Sequence, residues 1–180
     1  MRRLMLFRHA KTERDAPSGR DQDRRLDERG HQDASAIGAF IARTPPFPEL
    51  VLVSTAVRAC QTWELAWNAM RDRVPEPVVE MVPELYAAEP MQLLHNIRLA
   101  AASDPKQLLL VGHNPGMHEL ALALTGGGEK AARHELAHNL PTAALAVFDF
   151  DIDDWTDVAF GRGRLVKFIT PKLLKQARGD

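Results

Sequence analysis

The chain has 180 residues, 45% of them apolar, and a formal net charge of −1. That length and apolar content suit one soluble domain with a full-sized core, and a charge so close to neutral excludes a general electrostatic attraction to nucleic acid or anionic membrane. A single cysteine, Cys60, excludes an internal disulfide framework and fits a reducing cytoplasm, while no apolar run reaches membrane-spanning length and too few residues precede Arg8 for a secretion signal.

Leu4 to Phe7 is a short apolar run without helical period, which predicts a buried strand. It ends at Arg8-His9-Ala10-Lys11-Thr12, so an arginine, a histidine and a hydroxyl arrive together at a strand's carboxyl end, where ligands sit in open α/β sheets. Residues 11–29 are charged, carry Pro17 and Gly19, and read as a mobile surface loop. Within it Arg25 reads as a solvated charge, and Arg24 is a candidate to reach an anion at the strand end.

Asp27 has the character of an N-cap, and Ile37, Phe40 and Ile41 supply a helical apolar stripe that Thr44-Pro45-Pro46 terminates. Leu50 to Val53 predicts a second buried strand. Residues 56–71 then predict a helix capped by Ser54 or Thr55, which sets Arg58 in its first turn. A cation there opposes the helix dipole, a local cost that an anion held by Arg58 would relieve.

Residues 78–82 predict a short strand followed by Pro83-Glu84-Leu85-Tyr86. Pro90 opens a helix with Leu93, Leu94, Ile97 and Leu99 on its apolar face, and Asp104-Pro105 ends it. Leu108 to Val111 predicts a fully buried strand that runs into Gly112-His113-Asn114-Pro115. There Asn114 is the expected N-cap and Pro115 the first residue of a helix that ends at Thr125-Gly126-Gly127-Gly128. A charged amphipathic stretch covers 129–140, strands are expected over 143–150 and, once or twice, over 155–169, and Pro171 opens a last helix. This alternation predicts an α/β fold: three layers, α/β/α, around a mostly parallel central sheet.

Three buried strands thus end in chemistry: Arg8-His9, Ser54 to Arg58, and Gly112-His113. In a parallel sheet those ends lie along one edge and can share one crevice. Two arginine forks match a phosphate dianion, a neutral imidazole can attack phosphorus, and a second histidine can stabilise charge on the transferring group. Glu84 is the best-placed candidate to protonate a leaving group.

The pattern resembles the histidine phosphatase superfamily, with its phosphoglycerate-mutase-like fold. The resemblance is carried by Arg8-His9-Ala10, by Ser54 through Arg58-Ala59 to Gln61-Thr62, by Pro83-Glu84-Leu85, and by Gly112-His113-Asn114-Pro115. Arg24 to Leu26, Gly30, Pro141 to Ala144, and Phe168 to Pro171 with Leu173 look like its small SixA-type phosphohistidine phosphatases. It spans nearly the whole chain and implies one domain over 1–180 without a large cap insertion.

By that resemblance His9 is the phosphorylated nucleophile, Arg8, Arg58 and His113 complete the phosphate pocket, Thr12 adds a hydroxyl contact and Glu84 is the acid. Ala10 stands where the family usually has glycine, and Ala56 where it often has proline. The implied enzyme is cytoplasmic and needs no cofactor or metal. Its implied partner is a phosphorylated protein, such as a histidine phosphotransfer domain, or a small phosphate ester, with neither nucleic acid nor membrane as partner.

Three rival readings remain. The same pocket suits a phosphomonoesterase acting on a small metabolite or on phosphoserine or phosphothreonine. A phospho-binding module without catalysis is disfavoured because His9 and both arginines are intact. His134-Glu135-Leu136-Ala137-His138 matches the H-E-x-x-H zinc peptidase motif, but Asn139 to Pro141 ends the helix at once and no third ligand follows at a recognisable spacing. His31, His95 and His118 read as surface or packing residues, the tryptophans Trp63, Trp67 and Trp155 as core or interface, and Cys60 as buried and inert.

Overall fold

A computed structural model describes residues 1–179. Seven strands form one sheet in the order β3-β2-β4-β1-β6-β7-β5. They are β1 (Arg2–Arg8), β2 (Leu50–Val53), β3 (Val78–Met81), β4 (Gln107–Gly112), β5 (Thr125–Gly128), β6 (Leu145–Phe150) and β7 (Gly163–Ile169). The pairs β3/β2, β2/β4, β4/β1 and β7/β5 are parallel, whereas β6 runs antiparallel to both β1 and β7. The helices are α1 (Glu28–Ile41), α2 (Val57–Met70), α3 (Pro90–Leu99), α4 (Gly116–Leu124), α5 (Lys130–His138) and α6 (Pro171–Arg178).

The period of two along a strand divides the core into two halves. Leu4, Leu6, Leu108 and Leu110 face α3, α4 and α5 through Leu93, Ile97, Leu120 and Leu136. Met5, Phe7, Leu109 and Val111 face α1, α2 and α6 through Ile37, Ile41, Trp63 and Leu174. This is the three-layer arrangement expected, and it explains why the central strands are apolar without interruption: both of their faces are covered. On the second face α1 and α2 pack backbone to backbone at Gly38, where a Cβ would stand 2.3 Å from the Ala66 carbonyl oxygen. Among the described residues no helix is long and apolar enough to cross a membrane.

Several local expectations are corrected. The glycine run at 125–128 does not merely end α4; it forms β5 beside β7, and a Cβ on Gly126 would lie 2.0 Å from the Gly161 carbonyl oxygen. Trp155–Asp157 is a 3-10 turn whose indole donates to the Pro105 carbonyl, and 155–169 holds one strand, β7, within the one or two expected. Leu99 lies exposed at the end of α3. The segment 11–29 is exposed but anchored: Thr12 bridges Leu26, and the Leu26 amide donates to the Gln61 side chain on α2 at 2.8 Å. Asp27 caps α1 as expected, accepting from the Gly30 amide.

Candidate active site

Parallel pairing sets the carboxyl ends of β2, β4 and β1 side by side, since these strands are neighbours. His9 follows β1, Ser54 follows β2 and opens the turn into α2, and His113 follows β4. The sheet therefore brings together the three strand ends that the sequence marks. The His9 and His113 rings stand 5.2 Å apart between centroids. Both are buried, as is Arg58, and Arg8 is half-buried beside them.

The His9 imidazole has an assignable proton. His9 Nδ1 lies 2.8 Å from the Ala10 carbonyl oxygen, which can only accept. The proton therefore sits on Nδ1, and Nε2 presents a free lone pair. His113 Nε2 lies 2.7 Å from Ser54 Oγ. Ser54 Oγ also accepts from the Ala56 amide and keeps a second lone pair, so either partner can carry the proton between Oγ and Nε2. His113 Nδ1 is buried without a partner. Ser54 thus serves His113 instead of capping α2, whose first residues have no side-chain cap.

Burial keeps both rings neutral. It pushes His9 down to about 3 and His113 down to about 4, helped in each case by the neighbouring arginines. The unfolded chain would bind these two protons below about 6.5, whereas the folded protein resists them until much lower pH. Both groups therefore withdraw stability as pH falls below about 6.5, His113 until about 4 and His9 until about 3. Imidazole NMR should show His9 and His113 still neutral at about pH 5.5; either ring titrating near its ordinary value would contradict the burial described.

The arginines complete the constellation. Arg8 donates through Nη1 to the Leu140 carbonyl at 3.0 Å, and Arg58 donates through Nη1 and Nη2 to Asp21. The Nε atoms of both are buried and unpaired. Burial, then the charge of Arg58, lowers the pKa of Arg8. Arg8 Nε, Arg58 Nε and His113 Nδ1 are thus unpaired on the three residues whose charges and rings neighbour His9. Buried polar groups are rarely left unsatisfied, so the arrangement calls for an oxyanion. Chemically it can hold a phosphoryl group and present a nucleophile to it.

The backbone of this corner is fixed by Thr62 in α2. Its hydroxyl accepts from the Ala10 amide at 2.9 Å and donates to the Arg58 carbonyl at 2.7 Å. Thr62→Val should leave the Ala10 amide buried and unpaired, lowering stability by about 1–3 kcal/mol in denaturant titration. On the other side the His9 carbonyl accepts from Ala143, which adopts a left-handed φ of 60° in a fully buried turn.

The other nominated residues lie further out. Thr12 accepts from Arg24, and Arg24 also donates to the Glu13 carbonyl and to Asp21, so all three of its nitrogens have protein partners. Arg24 thus braces the loop through Thr12, Glu13 and Asp21. Glu84 is not brought into the site. It is exposed on the 3-10 turn Pro83–Leu85 after the edge strand β3, and that turn sends Leu85 into the core and Tyr86 to the pocket. Glu84→Gln should therefore leave kcat within about twofold of the parent, as expected of a surface change.

Sequence reading missed Asp21, Ser54 as the partner of His113, and Tyr86. The Tyr86 ring meets His113 edge-on at 5.5 Å and lies 5.8 Å from the Arg58 guanidinium carbon. A cavity of about 520 Å³ opens from Asp21, Arg58, Tyr86 and His113 towards Glu89 and Glu119. Its floor depends on Gly116: a Cβ there would stand 1.9 Å from the Ala88 carbonyl oxygen.

His134, Glu135 and His138 are exposed on α5. Among the described residues no three His, Cys, Asp or Glu side chains group closely enough to hold a metal ion. Cys60 is half-buried, and burial raises its thiol pKa.

Comparison with known proteins follows the same line. A profile of the histidine phosphatase superfamily (branch 1) matches residues 4–86. An uncharacterized protein of Mycobacterium leprae is 33% identical over 84% of this chain and 89% of its own length. A structure assigned as the phosphohistidine phosphatase SixA of Agrobacterium tumefaciens superposes with a TM-score of 0.77 at 33% identity, covering 94% of this chain and 98% of that one. The protein histidine phosphatase SixA in complex with tungstate has a TM-score of 0.73 at 21% identity, covering 96% and 99%, a likeness of fold.

Proposed function

The chain belongs to the histidine phosphatase superfamily, on its SixA-like side, and from that membership we propose that this phosphatase works through a phosphohistidine at His9 and takes phosphohistidine on a protein as its substrate. The observation that carries the reading is the set of unpaired nitrogens on the residues that neighbour His9, whose own Nε2 is free. In the first step Nε2 attacks phosphorus in line, the bond to the leaving group breaks, and the leaving group takes a proton. The His9 ring keeps its Nδ1 proton on the Ala10 carbonyl, so the phosphorylated ring is cationic and its P–N bond stays labile. In the second step water attacks phosphorus, inorganic phosphate departs, and Nε2 recovers its lone pair. Arg8, Arg58 and His113 bind the equatorial oxygens, where charge accumulates in the transition state.

The carboxyls around the site support a phosphoramidate. Asp21 is held ionised, first by the Tyr86 hydroxyl and then by Arg24 and Arg58, and cannot serve as an acid. The Glu89 side chain caps α3, Glu119 lines the cavity from an exposed position on α4, and Glu84 lies outside the cavity. An imidazole leaving group, basic enough to take its proton from solvent, needs no dedicated acid. This reading goes with one functional unit over residues 1–180, cytoplasmic and metal-independent, acting on a protein such as a histidine phosphotransfer domain.

The test is a parallel assay, in excess chelator, of a phosphohistidine protein, a phosphoserine peptide and small phosphate esters. Phosphohistidine should be preferred in kcat/KM by at least about 100-fold, the selectivity that a difference of roughly 3 kcal/mol in transition-state stabilisation gives. A small ester hydrolysed faster would replace this reading with that of a metabolite phosphomonoesterase.

A further inference from the structure

Asp21 joins Arg58, Arg24 and Tyr86 at one residue, and resting on the phosphatase reading above, we propose that Asp21 is a positioning residue for Arg58, with Tyr86 locking it in place. Arg58 stands in the first turn of α2 on a long flexible side chain, yet both of its terminal nitrogens are taken by one residue. Nη1 donates to the Asp21 carbonyl oxygen at 2.8 Å and Nη2 to Asp21 Oδ2 at 2.9 Å. Two bonds to one rigid partner fix the guanidinium plane as well as its position. What remains buried and unpaired is the Nε–H. The fork is therefore gripped by its outer end and offers its inner edge to the phosphoryl group.

Asp21 is itself held from two further sides. Tyr86 donates its hydroxyl to Oδ2 at 2.6 Å, and Arg24 donates to Oδ1 at 3.0 Å. The loop after β1, the first turn of α2 and the turn after β3 thus meet at one carboxylate. The hydrogen bonds from Tyr86, Arg24 and Arg58 also hold that carboxylate below the ordinary range, so it remains charged throughout the working pH range. An ionised carboxylate of this kind neither donates a proton nor accepts one readily. Its contribution is geometric.

A double-mutant cycle separates positioning of Arg58 from simple support of the loop. Asp21→Ala should lower kcat on the order of 10- to 100-fold, as misplacing a catalytic group does, with thermal unfolding still cooperative. In an Arg58→Ala background the same change should cost less than about twofold, because the group it positions is gone. Tyr86→Phe should give a smaller loss that disappears when Asp21 is already alanine. Additive losses in the Arg58→Ala background would overturn the proposal in favour of a structural role.

An arm independent of activity follows the Arg58 Nε–H by NMR relaxation. It should be ordered in the parent and mobile in Asp21→Ala; an ordered signal in both would overturn the proposal whatever the substrate. Absence of turnover by the parent protein on every phosphorylated substrate would instead remove the phosphatase reading, leaving the NMR arm to decide the role of Asp21.

Discussion

His9→Ala is expected to abolish turnover, by about 10⁴- to 10⁶-fold in kcat, while the protein still unfolds cooperatively. The magnitude follows from losing a covalent nucleophile, for which water in the same pocket is a poor substitute. The fold should survive because His9 lies after β1, and the backbone contacts of its neighbourhood, from Ala10 to Thr62 and from Ala143 to the His9 carbonyl, do not use the imidazole. Rapid acid-free quenching of the parent with radiolabelled substrate should trap phosphate on the protein, stable to alkali and released by acid, and His9→Ala should trap none. A variant that turns over normally would refute His9 as the phosphate acceptor.

Arg58→Ala should cost about 10²- to 10³-fold in kcat, the usual penalty for removing one preorganised donor from a developing oxyanion. Most of the loss should appear in kcat, because the Nε–H is aligned for the transferring group before substrate arrives. Arg58→Lys should recover only a small part: an ammonium carries the charge but cannot be gripped at one end while donating from the other. Steady-state kinetics on a phosphohistidine protein would measure both. A silent Arg58→Ala would mean that the end of β2 plays no part in catalysis.

The parts of the site legible in the sequence are those that strand physics makes conspicuous. β1, β2 and β4 are covered on both faces, so each reads as an apolar run, and each run stops abruptly where the chain leaves the sheet. Arg8-His9, Ser54 to Arg58 and Gly112-His113 stand at those stops and could be placed in one crevice from topology alone. What lay outside reach depended on local competition. Ser54 could cap α2 or serve His113, and only the tertiary pairing decides between them. Glu84 and Tyr86 are two residues apart, and one 3-10 turn determines which of them faces the pocket. Asp21 sits in a polar loop without periodicity, and its partner Arg58 is 37 residues away in the chain. The glycines of β5 carry no side-chain pattern, and their strand exists because β7 lies alongside.

The central place of β1 in the sheet also governs when the site can come into being. Leu4 pairs with Leu108 on one side and Phe148 on the other, so β1 waits for partners more than a hundred residues downstream. Arg8 finds its carbonyl at Leu140, and the His9 backbone finds its amide at Ala143. A chain that stops short of β6 therefore leaves Arg8 and the His9 backbone without these anchors. Pairings this distant along the chain slow folding relative to proteins built from local contacts, so refolding should register β1 late, with protection of its amides from exchange appearing together with that of β4 and β6.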